Sequence, residues 1–396
     1  MNKKRLLFVD DEQSILTLLE RMFTPMREQW DIVLTDTGEK ALAIMQENPV
    51  DVLISDLNMP GMDGARLMDQ VADSFPQTVR CIFSGYPSRE GALDLAKTTH
   101  QFLLKPDDLL GIRNFIKRAA ALREILPDDR IARVTTQVKT LPSLPALYTQ
   151  LISEIQSEEV SMQRIGDIIE QDPAMTAKVL QLVNSAFFGL RERVNSAGQA
   201  AGLLGLEILK SLVLMAHIFS QYEQVDVKDF SIRALWRHSA AVALYARDIA
   251  ACEKYDDDTS DACFVSGLLH DIGKLVLAVN LPAEYEAVMH KVHTEKCCLV
   301  DTEKEMLGAS HAEVGAYLFG LWGFSDAVVE ACAYHHFPSD CLSCDVELLT
   351  CVHVANMFDH DAQHINLGEK LDIGYLKNQG KEAKLSEWKQ VAGLEV

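Results

Sequence analysis

Two sets of residues in this chain are of types that could do chemistry. The first is acidic. It comprises Asp10 and Asp11 in "FVDDE" and Asp56 in "DVLISDLNMPGMDG", together with Ser84 in "IFSGY" and Lys105 in "FLLKP". Carboxylates gathered at one point repel each other unless a hard cation sits among them. Mg²⁺ suits that place, because it takes oxygen ligands and keeps several waters. A carboxylate beside Mg²⁺ is a competent nucleophile towards phosphorus. A lysine can neutralise incoming phosphoryl oxygens, and a serine hydroxyl can hydrogen-bond one of them. Any one of these acids alone would more simply cap a strand or a helix. The whole set is what points to phosphoryl transfer.

The second set is rich in imidazole. His238 lies in "LWRHSAA", and His270-Asp271 lies in "SGLLHDIGKL", an otherwise apolar helical run. His311 follows in "ASHAEVG", His335-His336 in "AYHHFP" and His353 in "CVHVAN". One histidine on a helix is more often packed or solvated than ligating. Several on successive helices, with a carboxylate among them, suit Fe, Mn, Zn or Ni. A metal-bound water could then attack a phosphoester. Asp271 is the natural bridging acid. Lys274, three residues on, can pair with it along a helix face or meet a phosphate. Cys341 and Cys344, with Cys351 and His353, would make four zinc ligands. The second pair is spaced by one residue on a predicted helix, which suits a tetrahedral site poorly, so packed or surface thiols are the simpler reading.

Elements must position these groups. Residues 1–122 alternate short β-branched runs with helix-like segments. The runs are Leu6–Val9, Ile32–Leu34, Val52–Ile54, Val79–Phe83 and Phe102–Leu104; the segments include Ser14–Phe23, Glu39–Gln46 and Ala65–Asp73. That alternation predicts a parallel sheet covered on both faces, with its crevice beyond the carboxyl ends of the strands. Asp10 and Asp11 then end the first strand, Asp56 the third and Ser84 the fourth, and Lys105 follows the fifth. Residues 123–139, interrupted by Pro127-Asp128-Asp129, read as a linker. From 140 to 357 no strand pattern returns, and the chain becomes all-α. Asp172 and Pro173 open one helix as N-cap and first residue, with Met175, Val179, Leu182 and Val183 as its apolar stripe and Gly189 as its stop. Residues 358–396 are polar and weakly patterned, and suggest no role.

Composition sets bounds. The 396 residues are 48% hydrophobic and 24% charged, which is ordinary for a protein with real cores. A net charge of −21 weighs against direct DNA binding and against anionic membrane surfaces. The start of the chain reads as neither signal peptide nor membrane span. The nine cysteines are then expected to be reduced thiols in a cytoplasmic protein.

In order and spacing, the motifs of residues 1–122 resemble a response-regulator receiver domain. The resemblance implies a flavodoxin-like, doubly wound α/β fold with five parallel strands. It implies Asp56 as the phosphoacceptor, with Mg²⁺ held by Asp11, Asp56 and the Asn58 backbone carbonyl, and Asp10 in the acidic pocket. It implies Ser84 and Lys105 as switch residues and Phe102 as the aromatic that changes rotamer.

In residues 140–357, "LPSLPALYTQLISEI", "IGDIIEQDPAMTAKVLQLVNSAFFGL" and "GLLGLEILKSLVL" resemble the HDOD family, noncatalytic HD-related output domains. Against the wider HD superfamily, His238 matches the first histidine and His270-Asp271 the doublet. His311, His335 and His336 resemble the further ligands of HD-GYP cyclic-di-GMP phosphodiesterases. Two departures stand out. Asn356 occupies the place of the last metal-binding Asp, and no Gly-Tyr-Pro follows the double histidine. The resemblances imply a two-component response regulator. A sensor histidine kinase would phosphorylate Asp56, and the HDOD domain would act on a downstream protein, such as a cyclic-di-GMP enzyme. No direct DNA or membrane contact is expected, and a homodimer is left open. A phosphorylation-controlled phosphohydrolase using Fe or Mn, with Lys274 on the phosphate, is the alternative, and a nucleotide-sensing domain is a third.

Overall fold

The computed structural model describes residues 3–28, 30–75, 78–84, 101–105, 112–113, 116, 146–155, 160–184, 194–222, 227–322, 324–341, 346–363, 368 and 370–394. The linker at 123–139, Pro106, Gly189 and Cys344 lie outside them. The chain divides into two compact units, one built on residues 1–146 and the other on 147–319 and 324–396.

In the first unit, β1 (Lys4–Val9), β2 (Trp30–Thr35), β3 (Val52–Ser55), β4 (Val79–Ser84) and β5 (Gln101–Leu104) form one sheet in the order β2-β1-β3-β4-β5. Every pairing is parallel, as the near-continuous apolar strands require when both faces are covered. Among the described residues, three α-helices lie between strands: α1 (Gln13–Phe23), α2 (Gly38–Glu47) and α3 (Gly64–Ser74). Thr37 caps α2 by accepting from Lys40 N, and Asp63 caps α3 by accepting from Arg66 N. Leu67, Met68 and Val71 of α3 then bury against Leu7, Leu53 and Ile82 of the sheet.

The register aligns the carboxyl ends. Val9 pairs with Thr35 and with Ser55, and Ser84 pairs with Leu104. The ladder continues one step further, with Asp56 N donating to Val9 O at 2.8 Å and Lys105 N to Ser84 O at 2.9 Å. The residues just past the strand ends are thus fixed by backbone bonds.

The second unit is helical among its described residues: α4 (Ala146–Ile155), α5 (Met162–Glu170), α6 (Pro173–Val183), α7 (Ala197–Leu204), α8 (Leu206–Gln221), α9 (Ile232–Cys252), α10 (Asp257–Leu269), α11 (Ile272–Asn280), α12 (Pro282–Glu295), α13 (Leu299–Leu307), α14 (His311–Trp322), α15 (Asp326–Tyr334), α16 (Val346–Ala362), α17 (Ile373–Asn378) and α18 (Leu385–Val391). Asp172 accepts from Met175 N at 3.0 Å, the cap expected of it for α6. The core gathers Val242, Ala246 and Ile249 of α9, Cys263 of α10 and Leu349, Val352 and Phe358 of α16.

Tyr375 of α17 and Trp388 of α18 belong to the same core, so the polar last segment is built into the unit. Trp388 is fully buried, and its indole N–H donates to Glu253 Oε1 at 3.1 Å. Lys381 also pairs with Glu253.

The span Asp257–Asn280 is long and apolar enough to cross a membrane by composition, yet 89% of its most apolar window is buried inside the protein. It is also not one helix. The sequence reads "SGLLHDIGKL" as a continuous helical run. The structure corrects this: α10 ends at Leu269 and α11 begins at Ile272. A close backbone approach accompanies the break. A Cβ on Gly273 would lie 1.9 Å from the carbonyl oxygen of His311, so only glycine lets α11 start against α14.

Candidate functional site: a receiver pocket and a histidine cluster

At the carboxyl edge of the sheet, Lys105 bridges two acids. Its Nζ lies 2.6 Å from Asp10 Oδ2 and 2.8 Å from Asp56 Oδ1. Glu12 N donates to Asp10 Oδ1 at 3.0 Å, and Asn58 N donates to Asp56 Oδ2 at 2.9 Å. Asp10, Asp56 and Ser84 are buried, whereas Asp11 and Asn58 are exposed at the rim. Burial lifts the Asp10 carboxyl above its ordinary value, against the pull of its bond to Lys105. Burial pulls Lys105 down, but its bonds to Asp10 and Asp56 outweigh that and hold the ammonium charged. The lysine is the cation that two buried carboxylates demand. The same acids, with Asp11 at the open rim, suit a hard oxygen-seeking ion such as Mg²⁺. Phe102 lies opposite Ile82 in β5; its side chain lies outside the described residues.

The histidines of the helical unit converge on Asp271. His238 comes from α9, His270 ends α10, His311 begins α14, and His335 and His336 follow α15. Asp271 Oδ2 lies 3.4 Å from His238 Nε2 and 3.5 Å from His270 Nε2. Asp271 Oδ1 lies 3.2 Å from His311 Nε2 and 3.7 Å from His335 Nε2. His311 Nε2 is 2.8 Å from His336 Nε2. Lys274 pairs with Asp271 Oδ2 at 2.6 Å, the first of the two roles open to it.

The other ring nitrogens explain this aim. His238 Nδ1 is bonded to Asp359 Oδ2 at 2.6 Å, and His311 Nδ1 to Glu303 Oε2 at 2.6 Å. His270 Nδ1 meets Gly267 O and His335 Nδ1 meets Cys332 O, each at 2.7 Å. A histidine that donates its Nδ1–H to an oxygen presents an Nε2 lone pair, the arrangement a metal ligand needs. The Nε2 atoms of His238, His270 and His335 are buried without a hydrogen bond. Such orphaned atoms in a buried, carboxylate-centred cluster fit a transition-metal ion.

Electrostatics agree. Burial holds His270 and His336 well below the usual imidazole range and lowers His335. His311 differs. Burial opposes its charge, but Glu303 and Asp271 together outweigh it and raise the ring to about 9. Burial works against ionising Asp271, yet His270 and Lys274 hold it well below the carboxylate range.

Other expected residues land elsewhere. Asn356 is fully buried on α16, one turn before Asp359, and neither amide atom has a hydrogen-bond partner. His353 is occupied: Nδ1 bonds to His335 O at 2.7 Å, and Nε2 accepts from Asp372 N at 2.9 Å. Cys351 is buried against the Cys263 thiol, so it does not join His353 in a zinc site. Cys341 is disulfide-bonded, which corrects the expectation of thiols throughout; the seven other described cysteines are free. Asp359 and Glu303 were missed by sequence reasoning. For Asp359 a signal existed, since it lies three residues beyond Asn356 on the same helical face.

Comparison with known proteins follows these two units. A family model described as "HDOD domain" matches residues 141–338, and one described as "Response regulator receiver domain" matches residues 6–117. An HDOD domain protein from Geobacter sulfurreducens, of solved structure, is 21% identical with a TM-score of 0.51, covering 66% of this chain and 97% of that one; that likeness is one of fold. An uncharacterized protein of Treponema pallidum (strain Nichols) is 26% identical over 208 residues, 52% of this chain and 39% of that protein. The response regulator protein PilR of Pseudomonas aeruginosa is 30% identical over 153 residues, 38% of this chain and 34% of its own. This chain thus spans about two fifths or less of the length of these two curated relatives. The sheet with its acidic edge, the helical unit and both matched spans lead to one conclusion: the chain belongs to the HDOD family, and joins an HDOD output domain to an N-terminal response-regulator receiver domain.

Proposed function

We propose that phosphorylation of Asp56 by a sensor histidine kinase switches the HDOD domain, which acts through protein–protein contact in bacterial signalling. The observation that carries this reading is the placement of Lys105 between Asp10 and Asp56, within the pocket edge that Ser84 shares. Mg²⁺, held by Asp10, Asp11, Asp56 and the Asn58 carbonyl, would neutralise charge on the phosphoryl group. Asp56 supplies the nucleophilic oxygen. Lys105, freed from Asp56 Oδ1, would pair with a phosphoryl oxygen, and the Ser84 hydroxyl would donate to another. Such a rearrangement biases a two-state element, which is how a local charge change is read at a distance. The acidic net charge favours a protein target over nucleic acid, with a cyclic-di-GMP enzyme in the cytoplasm as the proposed class.

Acetyl phosphate with Mg²⁺ should label the wild type and leave Asp56→Asn unlabelled on a phosphate-affinity gel. A pull-down under the same conditions should recover a different partner set for the two proteins. Equal labelling would overturn the switch, and equal recovery would overturn the output.

One observation favours a second reading. The ring of imidazoles about Asp271 is the equipment of a metal-dependent phosphohydrolase. Protein loaded with Fe²⁺ or Mn²⁺ that hydrolysed cyclic-di-GMP, and lost that activity in Asp271→Ala, would establish it. Binding of the nucleotide without turnover would support the sensor instead.

A further inference from the structure

Lys105 has a third neighbour besides its two acids. Its Nζ lies over the Phe83 ring, 5.7 Å from the ring centre. An ammonium within about 6 Å of a ring centroid is attracted by the ring's quadrupole. Phe83 is the residue before Ser84 on β4, a strand with β3 on one side and β5 on the other. Ile82 packs with α3 on one face of the sheet, so the alternation of the strand sends Phe83 to the other face. Phe83 is only 2% exposed. It is not the aromatic that the receiver resemblance implies, which is Phe102 on β5, opposite Ile82.

We infer that Phe83 is a positioning residue for phosphoryl transfer: its ring face seats the Lys105 ammonium where the phosphoryl group arrives. This rests on the reading of Asp56 as phosphoacceptor. It goes further by giving an electrostatic role to a side chain that otherwise only fills the core.

An ammonium has three N–H donors. In the free pocket two of them meet Asp10 Oδ2 at 2.6 Å and Asp56 Oδ1 at 2.8 Å. Neither tie passes through the reaction unchanged. The acids that suit Mg²⁺ are the acids that hold the lysine, and a dication among them repels an ammonium. In the transfer itself, an Asp56 oxygen forms a bond to phosphorus, and the donor's bond to phosphorus breaks with its electron pair leaving on the donor. Asp56 then has one oxygen fewer to offer as a charged acceptor.

The ring is untouched by these changes. It has no formal charge to be neutralised, and its place is set by β4 and by packing. It therefore holds the head of a flexible four-carbon stem over the pocket while one carboxylate tie is exchanged for a phosphoryl oxygen. Without the ring, the lysine must be ordered again as the phosphoryl group binds, and that cost falls on the phosphoryl-bound state. An aliphatic side chain at this position would fill the core but present no quadrupole.

The test uses the full chain with Phe83 replaced by mono-, di- and trifluorinated phenylalanine. These keep the shape of the ring and weaken its quadrupole step by step. Beryllofluoride with Mg²⁺ is the probe, and its Kd is read by titration calorimetry. The Kd is expected to weaken with each fluorine, to about fivefold for the trifluorinated ring, while binding of Mg²⁺ alone does not weaken. Phe83→Leu should match the trifluorinated ring. Because Phe83→Leu could fail to fold, the nearly isosteric fluorinated series decides. A flat series, or a loss confined to Phe83→Leu, would show that the ring only packs and would overturn the inference. Failure of the phosphoacceptor reading looks different: wild type and Asp56→Asn would then respond to beryllofluoride alike, whatever ring stands at position 83.

Discussion

Lys105 is the residue on which the receiver's buried carboxylates depend. Its ammonium touches both Asp10 and Asp56, and its side chain is only 14% exposed. Removing one partner from a buried ion pair leaves an uncompensated charge, which typically costs about 3–5 kcal/mol. Lys105→Ala should therefore destabilise the receiver, at the lower end of that range because the rim is open at Asp11. Mg²⁺ should restore much of the loss, since it would supply the missing positive charge. Urea unfolding of both proteins, with and without Mg²⁺, checks this. A variant that gains no more from Mg²⁺ than the wild type would contradict it. The histidine cluster follows the same rule in reverse, with one aspartate serving many cationic or ligating groups.

Among the elements, the strands were the most legible. Runs such as Leu6–Val9 and Val79–Phe83 coincide with strands to within a residue or two, and strand ends fix what comes next. Asp10, Asp56 and Lys105 were readable for that reason. The break at His270-Asp271 was not, because the apolar pattern runs straight through it. The close approach of Gly273 to His311 is tertiary, and local periodicity carries no trace of it. Glu303 was equally hidden, lying on a different helix from the His311 it orients. The last two helices were hidden by polar composition, because Tyr375 and Trp388 are few enough to vanish in an average. Their weight is in packing. Trp388→Ala should cost the helical unit about 3–5 kcal/mol, read as a lower urea midpoint with an unchanged slope. A cost below about 1 kcal/mol, the scale of ordinary surface substitutions, would show that α18 is not part of that core.

The whole molecule consists of two units, each with its own core. Calorimetry should therefore show two transitions. Mg²⁺ with beryllofluoride, a phosphoryl mimic, should move only the receiver's transition upward, and loading with Mn²⁺ in place of Mg²⁺ and beryllofluoride should raise the other. Binding to the native form alone shifts stability by about 2.7 kcal/mol at a hundredfold excess over Kd, which calorimetry resolves. A single transition moved by both treatments would show that the two units unfold as one. The broken helix at Asp271 has one more consequence, for a chain still being made. Before it folds, Asp257–Asn280 is a segment whose most apolar window has a mean hydropathy of 1.6, like that of a bilayer span. Asp271 and Lys274 sit near its middle, where each charge adds roughly 2.5–3.5 kcal/mol to the cost of membrane insertion. The pair that organises the finished cluster therefore also weighs against lipid while the segment is still unfolded.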